Sequence, residues 1–315
     1  MKIIVTGALG HIGSKVIRDL PLDFENLEIV MVDNFTTQRY TSLFNLPNSS
    51  KYSFHQADII SDTLDDIFKD GDVVIHLAAL TEAATSIDKP EEYERVNYLG
   101  TKNILEICKK FSLKLIHFSS TSIYGTKKKI VNEDCDDEDI KPQTPYALTK
   151  LKEEKLVQEY FDKGLVNTRT LRLGSICGIS PGMRFHAAIS KFCFQASIGI
   201  PITVWKTALD QKRPYLNLND ATKAISFVIS QNLFDGGVFN LVSSNSSVRE
   251  IIDLIKKNIG KVKIELVDNK IMNQLSYDVS AQKIIDQGFK FSGTLEQGIN
   301  DTIGLFNPLK KNFND

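Results

Sequence analysis

Short apolar runs alternate with longer stretches in which apolar residues recur at helical spacing. Lys2–Val5 (KIIV), Leu27–Val32 (LEIVMV), Tyr52–Ala57 (YSFHQA), Asp72–Ala78 (DVVIHLA), Lys114–Ser120 (KLIHFSS) and Asn167–Leu173 (NTRTLRL) read as strands. Between them His11–Leu20, a short segment at Asp62–Phe68, Pro90–Phe111 and Pro145–Lys163 read as helices. Continuous apolar strands alternating with helices predict a parallel sheet covered on both faces.

Beyond Gly174 the pattern is less regular. Met183–Gly199 reads as a helix, and so does Asn219–Ser230, with Asn219 or Asp220 as its cap. Val238–Val242 reads as a strand, and Ser247–Gly260 as a helix ended by glycine. The acidic stretch NEDCDDEDIKPQTP (Asn132–Pro145) reads as a solvated connection. The expected fold class is α/β: a doubly wound parallel sheet with a smaller C-terminal lobe.

Composition narrows the function classes. The chain has 315 residues, 42% hydrophobic and 24% charged, with a formal net charge of −1. That charge gives no electrostatic reason to expect nucleic acid or a membrane surface as partner. No apolar run approaches the ~20 residues that span a bilayer. MKIIVTG runs straight into a strand without the features of a signal peptide, so a cytoplasmic location is expected. Cys108, Cys135, Cys177 and Cys193 are widely spaced, and the five histidines form no i, i+4 pair. This usage fits a reducing compartment and no metal site.

The first strand and first helix are joined by VTGALGHIGS, which holds Gly7, Gly10 and Gly13 as G-x-x-G-x-x-G. Such glycines permit a sharp turn, a close backbone approach to a pyrophosphate and tight packing of helix on sheet. The helix start then offers free N–H groups to phosphates. MVDNF places Asp33 at the end of the second strand, about 20 residues beyond Gly13, where a carboxylate bonds the adenosine ribose. It would repel a 2′-phosphate, and no arginine follows immediately, so the expected cofactor is NAD. The alternative is that Asp33 only caps a turn. Asp58, in ADI at the end of the third strand, could bond the adenine amine. This order of elements predicts a Rossmann-type domain over residues 1–173, with about 214–242 returning to it. Residues 174–213 and 243–315 would mainly form a substrate-binding lobe.

TPYALTK supplies Tyr146 and Lys150, which share a helix face if the segment is helical. Tyrosine has an ordinary pKa near 10 and is a poor base at neutral pH. An ammonium beside it would favour the phenolate, which could then take a proton from a sugar hydroxyl. Lys150 could also hold the nicotinamide ribose. In isolation the pair reads first as an exposed helical couple. The strand ending at Ser119 and Ser120 stops in a cluster of hydroxyls. These cap the strand end, or one of them shares a substrate oxygen with Tyr146 at the carboxyl edge of the sheet.

In order and spacing, TGALGHIGS, MVDNF, ADI, HLAA, VNYLGT, SSTSIYG, YALTK and KRPYLNLNDA resemble the extended short-chain dehydrogenase/reductase family, in its nucleotide-sugar epimerase/dehydratase branch. The resemblance covers nearly the whole chain. It implies a catalytic triad of Ser120, Tyr146 and Lys150, with the alcohol lying four residues before Tyr124. It implies NAD contacts from Gly7, Gly10, His11, Ile12 and Gly13, from Asp33 and Asn34, from Asp58 and Ile59, and from the backbone of Leu77, Ala78 and Ala79. Asn97 matches a structural asparagine beside the cofactor. Thr81, Ser120, Thr121, Ser175, Arg184 and Arg213 are the expected substrate contacts, with Arg213 gripping the diphosphate.

Thr121 and Ser122 stand where related dehydratases carry Asp-Glu and decarboxylases usually a Glu at the second position, so both of those reactions are disfavoured. Ser175 and Ile179 depart from the Asn and Pro of relatives. Arg184 is a phosphate or sugar contact, or else a surface salt bridge. The function expected from the resemblance is an NAD-dependent, 4-epimerase-like enzyme acting on a nucleotide-diphosphate sugar. The alternatives are a dehydrogenase or ketoreductase with the same triad, and a non-catalytic dinucleotide sensor. A homodimer is also expected. The helices near Pro90–Phe111 and Pro145–Lys163 resemble the family's interface pair, with Ile104, Leu105, Leu151 and Leu156 facing the partner or the sheet.

Overall fold

The computed structural model describes residues 1–125, 128–185, 187–268, 276–307 and 309. The apolar runs become seven strands: β1 (Lys2–Thr6), β2 (Glu28–Asp33), β3 (Lys51–Gln56), β4 (Val73–His76), β5 (Lys114–Ser120), β6 (Thr168–Leu173) and β7 (Val238–Leu241). They form one sheet in the order β7-β6-β5-β4-β1-β2-β3, and every pairing is parallel. Alternate residues of β1 enter different cores. Ile3 and Val5 pack with Val16 and Ile17, while Ile4 packs with Val30, Ile104 and Leu105. This is the period of two expected for a strand buried on both faces. The chain runs outward from β1 to β3 and then returns to β4. The resulting reversal opens a crevice at the carboxyl ends of β1 and β4, the usual ligand position in such sheets.

Three helices set the crevice walls: α1 (His11–Asp23), α2 (Gly100–Phe111) and α3 (Pro145–Asp162). The single helix expected over Pro90–Phe111 is broken. Pro90–Tyr93 is one α-turn, Glu94–Leu99 is π-helical, and only then does α2 begin. The widened segment carries the buried side chain of Asn97, and π-turns of this kind recur at functional sites.

The helix expected from Met183 begins at Ala188 instead, because residues 178–184 lie across the loop between β1 and α1. His186 of that expected helix lies outside the described residues. Helix Leu218–Ser230 is capped by Asn217, whose Oδ1 accepts the Asn219 N–H at 2.9 Å, and not by Asn219 or Asp220. Helix Val248–Ile259 has the capping box Ser247/Glu250 and ends at Gly260.

A separate core of Ile189, Phe192, Val204, Ile251, Ile255 and Ile299 lies beyond the sheet. Around it are a three-stranded sheet (Ser175–Cys177, Lys212–Asn217, Ser244–Ser247) and the paired strands Ile202–Trp205 and Ile264–Val267. Ile104 and Leu105 are fully buried and Leu156 nearly so, all in the sheet-facing core, and Leu151 packs against the core of the other face. The exposed apolar side chains on the neighbouring segments are Ile87, Leu99 and Leu148. Among the described residues no helix is long and apolar enough to cross a membrane.

Candidate active site

The glycine turn is fixed by contact with backbone. Gly7 has φ +66°, and a Cβ there would lie 2.6 Å from the Ala78 nitrogen. A Cβ on Gly13 would lie 2.4 Å from the Gly7 carbonyl oxygen, so α1 packs directly on the turn. Gly10 occupies the N-cap of α1 and supplies no side-chain cap. The helix-start amides, from His11, Ile12 and Gly13, therefore have no intrahelical acceptor. His11 turns its ring to the Gly178 carbonyl, 3.0 Å from Nε2. Ile12 packs against the core.

Asp33 ends β2. Its Oδ2 accepts the Leu9 N–H at 3.1 Å and its Oδ1 the Phe35 N–H at 3.0 Å. It does cap a turn, and that cap holds the carboxylate at the crevice. Burial raises its pKa, against the Leu9 and Phe35 amides and the charge of Arg39. Asn34 Nδ2 donates to Asp58 Oδ2 at 3.2 Å, which joins the ends of β2 and β3. Ile59 is buried, and its carbonyl accepts from Asn103 at 3.0 Å.

On the other side of β1, the Leu77 N–H donates to the Thr6 carbonyl at 3.0 Å and the Ala78 N–H to Thr6 Oγ1 at 3.3 Å. Asn97 holds both polar groups of Leu80, accepting its N–H at 2.8 Å and donating to its carbonyl at 2.9 Å. It thereby positions the loop that carries Leu77, Ala78 and Ala79. A cradle that side chains would fill, helix-start amides and a carboxylate at the end of β2 fit a dinucleotide with unphosphorylated ribose.

Tyr146 and Lys150 lie on the first turns of α3. Thr144 caps this helix by accepting the Ala147 N–H at 3.2 Å, and Pro145 opens it. The Tyr146 N–H donates to Ser86 Oγ at 3.2 Å, and its ring meets Tyr93 edge-on. Lys150 is buried, not an exposed partner. Its Nζ donates to the Phe118 carbonyl and to Glu153 Oε2, both at 2.9 Å. Burial raises the Tyr146 pKa, while the Lys150 ammonium and the Ser120 hydroxyl favour the phenolate. Burial alone would lower the Lys150 pKa, but Glu153 and the phenol hold it above the usual value.

The hydroxyl cluster divides its work. Ser120 Oγ accepts the Ser122 N–H at 3.2 Å, so it caps the short 3-10 turn Thr121–Ile123 while neighbouring Tyr146. Thr121, expected as a substrate contact, is buried, and its hydroxyl donates to the Leu173 carbonyl at 3.1 Å. Ser119 Oγ and Ser122 Oγ are buried with no hydrogen-bond partner among the described residues.

Arg184 is half-buried and forms no ion pair within 4 Å among the described residues, although Glu82 is the first charge that acts on it. Arg184 donates to Thr81 Oγ1, and its charge acts on Tyr146 and Tyr93. The segment that carries it is fastened to the glycine turn. Ser180 donates to the His11 carbonyl at 2.8 Å, the Gly182 N–H to Ser14 Oγ at 3.0 Å, and Arg39 to the Gly182 carbonyl at 3.0 Å. Burial and the Arg184 charge bring the Arg39 pKa down to about 10. Ser175 and Arg213 are on the three-stranded sheet, where Ser175 pairs with Tyr215 and Arg213 donates to Gln211 Oε1 at 2.6 Å. Thr81, Ser120, Tyr146, Lys150 and Arg184 are thus brought to one place.

The motifs did not single out Glu153, His117 or Thr101. Glu153 lies three residues from both Lys150 and Leu156, on the inward stripe of α3, so a charge at an apolar position was the available signal. Its neighbour Glu154 has a different task. It takes Arg172 through three contacts of 2.7–3.1 Å, and Arg172 also donates to the Tyr124 hydroxyl at 2.8 Å.

Residues 3–241 match the model of the NAD dependent epimerase/dehydratase family. An uncharacterized UDP-glucose epimerase of Bacillus subtilis (strain 168) is 27% identical over 322 residues, covering 98% of this chain and 99% of the relative. A dTDP-D-glucose 4,6-dehydratase of Dictyostelium discoideum is 26% identical over 352 residues, covering 96% and 80%. Among solved structures, UDP-glucuronic acid 4-epimerase from Bacillus cereus in complex with UDP-glucuronic acid and NAD superposes with a TM-score of 0.87 at 26% identity, covering 98% of this chain and 100% of that one.

Proposed function

Since the chain belongs to the NAD dependent epimerase/dehydratase family, and so is an NAD-dependent sugar enzyme of the extended short-chain dehydrogenase/reductase type, we propose that it epimerises a nucleotide-diphosphate sugar at C4. The observation that carries this reading is the environment of Tyr146. Its phenol has the Ser120 hydroxyl and the Lys150 ammonium as neighbours at the carboxyl edge of the sheet, and the two positions after Ser120 hold hydroxyls and not carboxylates. A bound NAD supplies a hydride acceptor that later returns the same hydride.

The chain's own residues handle the proton. Tyr146 as phenolate takes the proton of the sugar 4-hydroxyl while C4 loses hydride, which leaves a 4-keto sugar. Ser120 donates to the same oxygen and holds its developing charge. Lys150 keeps the phenolate accessible by charge. After the keto sugar turns over, so that C4 regains its hydride on the opposite face, Tyr146 gives the proton back to the 4-oxygen. Arg184 and Thr81 suit the sugar or the nearer phosphate, and Arg213 with Ser175 the diphosphate, because a guanidinium fork bonds two oxygens. The relatives named for UDP-glucose and UDP-glucuronic acid support UDP-sugars as first candidates. Exposed Ile87, Leu99 and Leu148 support a homodimer.

The test is incubation of the pure protein with UDP-, GDP-, dTDP- and CDP-sugars, followed by NMR and by absorbance at the NADH band. The expected product is a C4 epimer with no stoichiometric NADH. Net NADH change would replace this reading with a dehydrogenase or reductase, and a 6-deoxy product with a dehydratase.

A further inference from the structure

One turn beyond Lys150, helix α3 buries a carboxylate. Glu153 is 1% exposed. Its Oε2 accepts from Lys150 Nζ at 2.9 Å, from His117 Nε2 at 3.1 Å and from Thr101 Oγ1 at 3.2 Å. Its Oε1 is buried with no hydrogen-bond partner among the described residues. The bonds continue beyond Thr101. Thr101 Oγ1 lies 3.1 Å from His76 Nε2, His76 Nδ1 lies 2.7 Å from Thr6 Oγ1, and Thr6 Oγ1 accepts the Ala78 N–H. A carboxylate only accepts, so Thr101 must donate to Glu153 and His76 Nε2–H to Thr101. One directed row of hydrogen bonds therefore links the loop at Ala78 to the counter-ion of Lys150.

Stability does not explain this arrangement. A buried ion pair seldom outperforms apolar side chains of the same size, and an unpaired buried carboxylate oxygen costs free energy. Glu154 shows the contrast, since Arg172 contacts both of its oxygens. We propose that Glu153 is a positioning residue for Lys150: held by His117 and Thr101, it keeps the ammonium docked at the end of β5 and sets how much of its charge reaches the Tyr146 phenol. This rests on the roles given to Lys150 and Tyr146 above.

The charged and titratable groups facing this cluster come from several elements. Lys150 and Glu154 lie on α3, His117 on β5, and His76 on β4 behind Thr101. Arg184 comes from the segment over the glycine turn, and Tyr93 from the turn before the π-helix. Burial holds His76 neutral, with its pKa down at about 3. Burial would raise the Glu153 pKa, but Lys150 and His117 hold it down at about 2, so the carboxylate is charged at neutral pH. Its charge opposes that of the ammonium at the phenol. In Glu153→Gln the ammonium acts on Tyr146 unopposed, and the phenol ionises at lower pH. The phenolate in turn helps Lys150 keep its proton.

The experiment titrates the phenolate absorbance of the NAD-loaded protein, with Tyr146→Phe subtracted to isolate this one tyrosine. The same subtraction is made for E153Q against E153Q/Y146F. The expected result is a Tyr146 midpoint about one pH unit lower in E153Q, with NAD affinity unchanged within about twofold. A midpoint that does not move overturns the proposal. Should E153Q fail to fold, Glu153→Asp, whose carboxylate withdraws from Lys150, must move the midpoint the same way by less, and an unmoved value again overturns it. The titration needs no sugar. A shifted midpoint without turnover of any nucleotide sugar sinks the proposed function and leaves this proposal standing, whereas turnover with an unmoved midpoint does the reverse.

Discussion

The Lys150 ammonium donates to the Phe118 carbonyl at 2.9 Å, which ties the first turns of α3 to the end of β5. Tyr146 lies on that helix and Ser120 on that strand, so one cation fixes the distance between the proposed base and its proposed partner. Lys150→Met should remove both the tie and the charge. The charge favours the phenolate, and without it the phenol ionises only at higher pH. The acid limb of the rate profile should therefore move up, and hydride transfer at neutral pH should fall by at least about 10². Single-turnover hydride transfer across pH checks this, and an unmoved limb would deny Lys150 its electrostatic role.

Ser120→Ala should slow the chemical step by about 10²–10³ and leave NAD affinity nearly unchanged. Tyr146→Phe should cost at least as much, and the double variant less than the sum, because both groups act on one oxygen. Thr121→Ala should spare the rate, since its hydroxyl serves the Leu173 carbonyl, and should instead lower stability by about 1 kcal/mol. Rapid-quench rates together with urea unfolding separate these outcomes. A crippled Thr121 variant beside a normal Ser120 variant would reverse the assignment.

Asp33 should weaken NADP relative to NAD by about 1–3 kcal/mol through charge repulsion. Asp33→Asn should narrow that gap, although Arg39 stays near. Titration calorimetry with both cofactors decides it, and equal affinities in the wild type would remove Asp33 from the ribose site.

Ile87, Leu99 and Leu148 should lie in the dimer interface. Leu148→Glu should halve the mass seen by light scattering at micromolar protein and leave the far-ultraviolet circular dichroism intact. A wild-type monomer under the same conditions would refute the dimer outright.

The central sheet was legible because its strands are continuous apolar runs, and KLIHFSS became Lys114–Ser120 without adjustment. The small strand Ser244–Ser247 had no such signal, for its residues are all polar and its pairing is set by Lys212–Tyr215 across the sheet. The break in the helix over Pro90–Phe111 carries Asn97, whose contact with Leu80 periodicity does not encode. The glycine turn, Asp33 and the Tyr-x-x-x-Lys pair were readable because each is local. Arg184 and Thr81 were both read as substrate contacts, but their bond to each other was not, because they are 103 residues apart in sequence. Glu153 lies between these cases, a charge on an apolar stripe with a partner visible only in the fold.

The fastening of residues 178–184 over the glycine turn bears on how long a cofactor stays. His11, Ser14 and Arg39 border the cradle, and each bonds that segment. For a dinucleotide held beneath this segment, release should require several of these bonds to open together, a local unfolding event and not simple dissociation. Residence should then outlast many catalytic cycles. That slow escape suits chemistry in which a hydride is borrowed and handed back, since an oxidised carrier need not be fetched anew for each sugar.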